Sequence, residues 1–368
     1  MTRMHIDELP IDDTLVRRLV DEQFPEWVNL PLLRIEPTGT VNAIFRLGAE
    51  LSVRLARRNG PTEPGGTEYE WLPTLAPLLP VEIPVPVAQG HPADDYPWFW
   101  EIHTWVDGET QPVEHIDPIQ AARDLAKVIS ALQHVSPAGA PPGRGIPLAE
   151  RDEVIRDRLS SFDRHPSVAA EWERALAAPP WAGPPVWHHG DLDARNWLIR
   201  DWRISGVIDW GSMGVGDPAC DVMVAWKLHS PAARDAFREA LPTDDATWER
   251  ARGWALSQAV MALTYYTPAN NPSLYREAES WLDLVLSERE YCCGGVVVDR
   301  VVRSDYALSW PRRSTDECDD VRGAVRLPPL GGAGALQHRR GRLRQAPARE
   351  TRDDLGELRR IEARAHVG

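Results

Sequence analysis

Lysine is almost absent from this sequence. Of the 41 basic residues, only Lys127 and Lys227 are lysines. The chain therefore contains no G-x-x-x-x-G-K-[ST] motif, and this excludes a P-loop nucleotidase. Both lysines follow the first hundred residues, so a phosphate contact from the N-terminal part must use arginine.

Cysteines and long apolar runs are also scarce. The four cysteines form no C-x-x-C pair, and two of them are adjacent, which is poor spacing for zinc ligands. No apolar run approaches the roughly 20 residues that a transmembrane helix needs. The N-terminus also lacks the basic and apolar pattern of a signal peptide. We therefore expect a cytoplasmic protein with no structural metal and no membrane partner.

The formal net charge is -14, and this acidity argues against a nucleic-acid partner. It favours a cationic partner only weakly, because many proteins are acidic for solubility alone. With 43% hydrophobic residues and 368 residues in all, the chain has the composition of a globular protein of two domains or lobes. Residues 291–368 differ from the rest, with 15 arginines against 11 acidic residues and little periodicity. We expect this low-complexity tail to be disordered.

The most informative stretch begins with His189-Gly190-Asp191-Leu192 and places Asn196 five residues after Asp191. This is the spacing of a kinase catalytic loop, H-x-D-L-x-x-x-N, in which the Asp receives the proton of the substrate hydroxyl. A second acid, Asp209, ends an apolar run and occupies the place of the main magnesium ligand of kinases. Two acids and an amide suit Mg²⁺, which prefers oxygen ligands.

These residues resemble the aminoglycoside phosphotransferase family of small-molecule kinases. The pattern H-G-D-L-x-x-x-N, then Ile-Asp-aromatic, then G-D-P-A-x-D is met up to Asp221, and the resemblance extends from about residue 11 to 290. It implies that Asp191 is the catalytic base and that Asn196 and Asp209 hold Mg²⁺. Asp221 would brace the catalytic loop.

The N-terminal part offers weaker matches. The turn Thr38-Gly39-Thr40-Val41-Asn42 lies between two short strand signals, and in a kinase it would cover the nucleotide phosphates; an ordinary hairpin is the alternative. Arg54, in an alternating strand, stands where protein kinases place a phosphate-binding lysine. The resemblance pairs it with Glu68 of the next helix, with Glu70 as a competitor. The predicted nucleotide-binding set is thus Thr38, Gly39, Thr40, Asn42, Arg54 and Glu68.

Together these observations predict an α+β, bilobal, protein-kinase-like fold. We expect a small antiparallel-sheet lobe over 1–104, a mainly helical lobe over 105–290, and the tail over 291–368. The resemblance implies transfer of the γ-phosphoryl group of ATP, with Mg²⁺, to a hydroxyl of a small molecule, and a cationic acceptor is compatible with the acidic chain. An antibiotic of the aminoglycoside or macrolide type and a metabolite such as an amino alcohol, homoserine or a sugar both stay open as acceptors. A catalytically silent nucleotide-binding protein and a metal-dependent hydrolase stay open as well.

Overall fold

The computed structural model describes residues 9–35, 41–110, 116–162, 165–228 and 230–287. The predicted tail over 291–368 and the turn residues Thr38, Gly39 and Thr40 lie outside these ranges. Among the described residues, every helix is too short or too polar to cross a bilayer.

The N-terminal part forms an antiparallel five-stranded sheet in the order β1-β2-β3-β5-β4. Its elements are α1 (Asp13–Gln23), β1 (Leu32–Arg34), β2 (Asn42–Leu47), β3 (Leu51–Ala56), α2 (Thr67–Leu75), β4 (Pro86–Gly90) and β5 (Trp100–Thr104). Helix α1 begins after Asp12, whose side chain accepts a hydrogen bond from the backbone N–H of Leu15.

The two faces of this sheet differ in polarity. Alternate residues of β2, β3 and β5 are fully buried and pack with α1 into one apolar cluster, as Phe45, Val53 and Ile102 illustrate. A strand points successive side chains to opposite faces, so the residues between them form a second face. Arg54 pairs in register with Glu101 there. We call this second surface the polar face of the sheet.

The remainder of the described chain is mainly helical and carries two strand pairs around the catalytic motif. Its helices are α3 (Pro118–His134), α4 (Asp152–Leu159), α5 (His165–Ala177), α6 (Ala219–Val222), α7 (Pro231–Ala240), α8 (Asp245–Tyr265) and α9 (Pro272–Ser287). Its strands are β6 (Val186–His188), β7 (Trp197–Arg200), β8 (Arg203–Val207) and β9 (Gly214–Gly216). Strand β6 pairs with β9, and β7 pairs with β8, both antiparallel.

Helix α3 shows how the sequence fixes these elements. Asp117 accepts hydrogen bonds from the backbone N–H groups of Ile119 and Gln120, and Pro118 occupies the first turn, where its missing N–H costs nothing. The larger apolar cluster contains α3, α8 and the strands around the catalytic motif, and it also takes in Leu72 and Leu75 of α2. Helix α2 therefore packs on the helical part, although it lies before residue 104 in the chain. The division at residue 104 stays a prediction.

Candidate active site

The catalytic motif forms a loop that one buried carboxylate holds in place. Strand β6 ends at His188, and the next two backbone N–H groups, of His189 and Gly190, both donate to the Asp221 carboxylate at 2.8 Å. Gly190 has a φ of 84°, and a Cβ there would lie 2.4 Å from the Ser212 carbonyl oxygen. Only glycine fits this position without displacing backbone. Asp221 therefore braces the loop.

His189 joins this loop to the end of β8. The backbone N–H of Asp191 donates to Nδ1 of His189 at 3.1 Å, so Nδ1 is the unprotonated nitrogen and Nε2 carries the hydrogen. Nε2 in turn lies 3.1 Å from the carbonyl oxygen of Ile208. Burial lowers the pKa of His189, outweighing the nearby carboxylates, and the neutral ring suits these two bonds. Its role in the described contacts is to hold the loop.

Asn196 and Asp209 lie at the same end of the β7–β8 pair, since the Ile208 N–H donates to the Asn196 carbonyl oxygen at 3.0 Å. The Asn196 Nδ2 donates to the carbonyl oxygen of Asp191 at 2.9 Å, which turns its Oδ1 to the opposite side. Asp209 follows β8 with a φ of 64°, a left-handed conformation uncommon outside glycine. Its carboxylate accepts no hydrogen bond from another described residue. The residues therefore fit Mg²⁺.

The charges around Asp209 also favour a bound cation. Desolvation raises the pKa of Asp209 and the neighbouring carboxylates of Asp191 and Glu68 raise it further, while Arg54 and Arg144 lower it. The charges of two other carboxylates thus act on Asp209. A divalent cation would relieve this repulsion.

Arg54 and Glu68 form an ion pair on the polar face of the sheet. Arg54 Nη1 lies 3.1 Å from Glu68 Oε1, and the two side chains are only 12% and 20% exposed. Desolvation opposes both charges, yet the pair raises the pKa of Arg54 and lowers that of Glu68. Glu70, the competitor for this position, is exposed. Asn42 begins β2, and its side chain points to the same face as Arg54.

Arg144 is a residue of this site that the sequence patterns did not indicate. Its Nη1 donates to Asp191 Oδ1 at 2.9 Å and to the Gly190 carbonyl oxygen at 3.2 Å. It lies 47 residues before Asp191, in a Pro/Gly-rich loop without periodicity. The one signal in the sequence is an arginine between two glycines in an otherwise apolar loop.

The glycines on either side of Arg144 lock its backbone against the segment that follows Asp209. Gly145 accepts a hydrogen bond from the Asp217 N–H at 2.8 Å, and its own N–H donates to His188 Nε2 at 3.0 Å. A Cβ at Gly143 would lie 2.7 Å from the Cα of Gly214, and a Cβ at Gly216 would lie 2.2 Å from the Gly145 carbonyl oxygen. We call residues 143–145 and 214–216 the glycine contact.

Within the described part of the chain, one buried cluster has residue types that can bind a metal: His188, Cys220 and Asp221. Its chemistry does not suit this role. His188 Nε2 accepts the Gly145 N–H, so Nδ1 carries the proton. Burial raises the pKa of the Cys220 thiol, which keeps it protonated, and Asp221 already accepts two backbone N–H groups.

The sequence matches the model of the phosphotransferase enzyme family over residues 37–254. The chain belongs to this family, and the resemblance to aminoglycoside phosphotransferases is thereby confirmed. No curated protein matches the sequence.

Solved structures with the same fold include phosphotransferases of two antibiotic classes. The GDP complex of wild-type aminoglycoside 2'-phosphotransferase-IIIa aligns with a TM-score of 0.59 at 16% identity, covering 76% of this chain and 100% of that one. A GDP and kanamycin complex of an APH(2") enzyme aligns with a TM-score of 0.58 at 15% identity, covering 76% of this chain and 99% of that one. Macrolide 2'-phosphotransferase MphH from Brachybacterium faecium aligns with a TM-score of 0.53 at 21% identity, covering 75% of this chain and 98% of that one. At these identities the likeness concerns the fold, and it confirms the predicted α+β kinase-like class.

Proposed function

We propose that this protein transfers the γ-phosphoryl group of a nucleoside triphosphate, with ATP as the first candidate, to a hydroxyl of a small molecule. One observation supports the proposal most directly: Asp191 lies beside Asn196 and Asp209, and only one of its two carboxylate oxygens is bonded to a described residue. Arg144 occupies Oδ1, and no described residue bonds to Oδ2. The Asp191 side chain is 36% exposed, so an acceptor hydroxyl can reach it.

The roles of the residues follow from their positions. Asp191 Oδ2 accepts the hydrogen of the acceptor hydroxyl and takes its proton as the hydroxyl oxygen bonds to the γ-phosphorus. The bond from the γ-phosphorus to the β,γ-bridging oxygen breaks, and the nucleoside diphosphate leaves. Arg54, fixed by Glu68, contacts the nucleotide phosphates from the polar face. Thr38, Gly39 and Thr40, together with Asn42 at the start of β2, would cover them.

Asn196 and Asp209 would hold the magnesium ion. Bound there, the ion would offset the negative charge of the phosphates during transfer. The contribution of this chain is to fix both ligands in advance. Asn196 is oriented by its bond to the Asp191 carbonyl oxygen, and Asp209 is set by the sharp turn after β8.

The acceptor is proposed only as a class. The structural neighbours include a complex with kanamycin and a macrolide phosphotransferase, so aminoglycosides and macrolides are the first acceptors to test. Amino alcohols, homoserine and sugars form the second set. We propose that the protein acts in the cytoplasm and without a nucleic-acid or membrane partner.

The test is nucleoside diphosphate production from Mg-ATP and Mg-GTP across these acceptors, because the neighbours solved as GDP complexes make GTP a necessary comparison. We expect acceptor-dependent turnover that falls at least about 100-fold in Asp191→Asn, since general base catalysis contributes roughly 10²–10⁴-fold. Tight Mg-nucleotide binding without turnover would indicate a catalytically silent protein. If phosphate is released in the absence of an acceptor faster than it is transferred in its presence, the protein would be a hydrolase.

A further inference from the structure

The proposed reaction would build up negative charge next to two carboxylates. Phosphoryl transfer spreads this charge over the three equatorial oxygens of the transferring group, and kinases and GTPases use cations to stabilise it. Here the charge would develop beside Asp191 and Asp209. A cation on the Asp191 side of the site would offset this charge.

Four described cations act electrostatically on Asp191 or Asp209, and three of them bond to groups other than these two carboxylates. Arg54 is paired with Glu68 on the polar face. Lys227 is 3% exposed, donates to the Leu192 carbonyl oxygen at 3.3 Å and lies over the Trp281 ring, so it sits beneath the loop.

Arg195 is the third, and it is fixed by a bidentate bond. Its Nε and Nη2 donate to the two carboxylate oxygens of buried Asp193 at 2.8 and 2.7 Å. This pairing directs the guanidinium back onto its own loop.

Arg144 is the fourth, and its position differs from the others. Its side chain is 27% exposed, and it contacts the proposed base directly at 2.9 Å. An acceptor oxygen bonded to Asp191 lies about 2.6–3.2 Å from the carboxylate and about 3–3.5 Å from the phosphorus that it attacks. A guanidinium bonded to the other oxygen of the same carboxylate would therefore lie close to the transferring group.

We infer that Arg144 is a catalytic residue, which holds Asp191 through one oxygen and stabilises the charge of the transferring phosphoryl group. This inference rests on the proposed function, and it adds a cation, the Arg144 guanidinium, on the side of the site where the acceptor would bind. The planar fork of a guanidinium suits both partners, since it presents five N–H donors in fixed directions. The glycine contact supports the inference, because it fixes the backbone of residues 143–145 and so delivers the side chain to Asp191 before any ligand binds.

The test uses the full chain with Arg144→Gln, Arg144→Lys and Arg144→Gly. We expect Arg144→Gln to lower kcat by about 100–1000-fold, the effect of removing one charge-stabilising donor, while the Kd of Mg-nucleotide changes less than about threefold. Arg144→Lys should recover part of the lost rate. Added guanidinium ion should raise the rate of Arg144→Gly with saturation and leave the unaltered protein unaffected.

The matched control is Arg200→Gln. Arg200 also donates to a carboxylate, that of Glu82 at 2.8 Å, but it lies on the β7–β8 hairpin and is half-exposed. We expect its kcat to equal that of the unaltered protein.

A second comparison separates contact with the phosphoryl group from positioning of Asp191. In an Asp191→Asn background, Arg144→Gln should still reduce the residual rate. If it has no further effect there, or if Arg144→Gln retains kcat within about threefold, the inference is wrong. If Arg144→Gln lowers both the rate and the melting temperature, and guanidinium does not rescue Arg144→Gly, Arg144 has a structural role instead. If the unaltered protein transfers no phosphoryl group at all, the proposed function fails and this inference with it.

Discussion

Among single residues, the Arg54–Glu68 pair offers a prediction with a matched control two residues away. Removing the Glu68 charge leaves Arg54 without its carboxylate partner on the polar face, so its side chain no longer has one fixed position. We expect Glu68→Gln to weaken Mg-nucleotide binding about tenfold, equal to about 1.4 kcal/mol. Glu70→Gln should have no effect, because Glu70 is exposed. Calorimetric titration of both variants with nucleotide measures the difference, and equal Kd values would contradict the prediction.

His188 carries a prediction about pH. Burial lowers its pKa to about 3, whereas an unfolded histidine has a pKa of about 6.5. As the pH falls below 6.5, His188 binds a proton in the unfolded chain but not in the folded one. The His188 contribution to the free energy of unfolding is therefore full above pH 6.5 and declines toward pH 3. The decline attributable to His188 is about 1.4 kcal/mol per pH unit.

The measurement is the melting temperature at pH 7 and pH 5. We expect the fall in Tm to be smaller in His188→Gln than in the unaltered protein. His134→Gln serves as the control, since His134 lies at the exposed end of α3. Identical pH dependence in all three proteins would show that His188 takes no part.

The sequence predicted some of these residues better than others. Asp191, Asn196 and Asp209 form a local motif whose spacing is visible in the chain, and the structure brings them to one place. Their roles stay predictions. Arg144 was missed because its contact with Asp191 depends on how two loops pack, and no pattern within either loop records this. Sequence spacing indicates contacts within an element or motif, and it does not indicate contacts between irregular segments.

Among the structural elements, the glycine contact makes the position of Arg144 depend on backbone packing. A Cβ at Gly143 would lie 2.6 Å from His188 Cε1 and 2.7 Å from Gly214 Cα, too close for either neighbour to avoid by a small shift. We expect Gly143→Ala to destabilise the fold by about 1–3 kcal/mol, the usual effect of overpacking, and to lower Tm by several degrees. It should also lower kcat, because Arg144 moves with its backbone.

The control is Gly211→Ala, measured for Tm alone. Gly211 lies in the same segment, but the nearest atom that an added Cβ would meet is 3.9 Å away. A Tm for Gly143→Ala as high as that of Gly211→Ala would contradict the close packing.

The regular elements show why the fold was more predictable than the site. Asp117 before Pro118 and Asp244 before α8 are local start signals, and both act as N-caps in the structure. The packing of α2 was not predictable in this way. Its Leu72 and Leu75 belong to the larger apolar cluster, and helical spacing alone does not say which of two cores receives a helix.

For the molecule as a whole, the family and the fold are established, and we propose a separate role for each of its two parts. The five-stranded sheet would offer its polar face to the nucleotide, and the helical part would present Asp191 and the acceptor site. Arg54 and Asp209 belong to these two parts and lie within electrostatic range of each other. Residues 291–368 follow the region matched by the family, and we propose that phosphoryl transfer does not require them.

The scarcity of lysine has a practical consequence for chemical labelling. Lys127 is 62% exposed on α3, whereas Lys227 is 3% exposed beneath the catalytic loop. An amine-reactive dye should therefore modify the folded protein at Lys127 and at the α-amino group only, and mass spectrometry after proteolysis would locate it. Unfolding should add Lys227 as a further labelled position. The folded protein thus has a single reactive lysine for surface immobilisation or distance measurements, without any engineered cysteine.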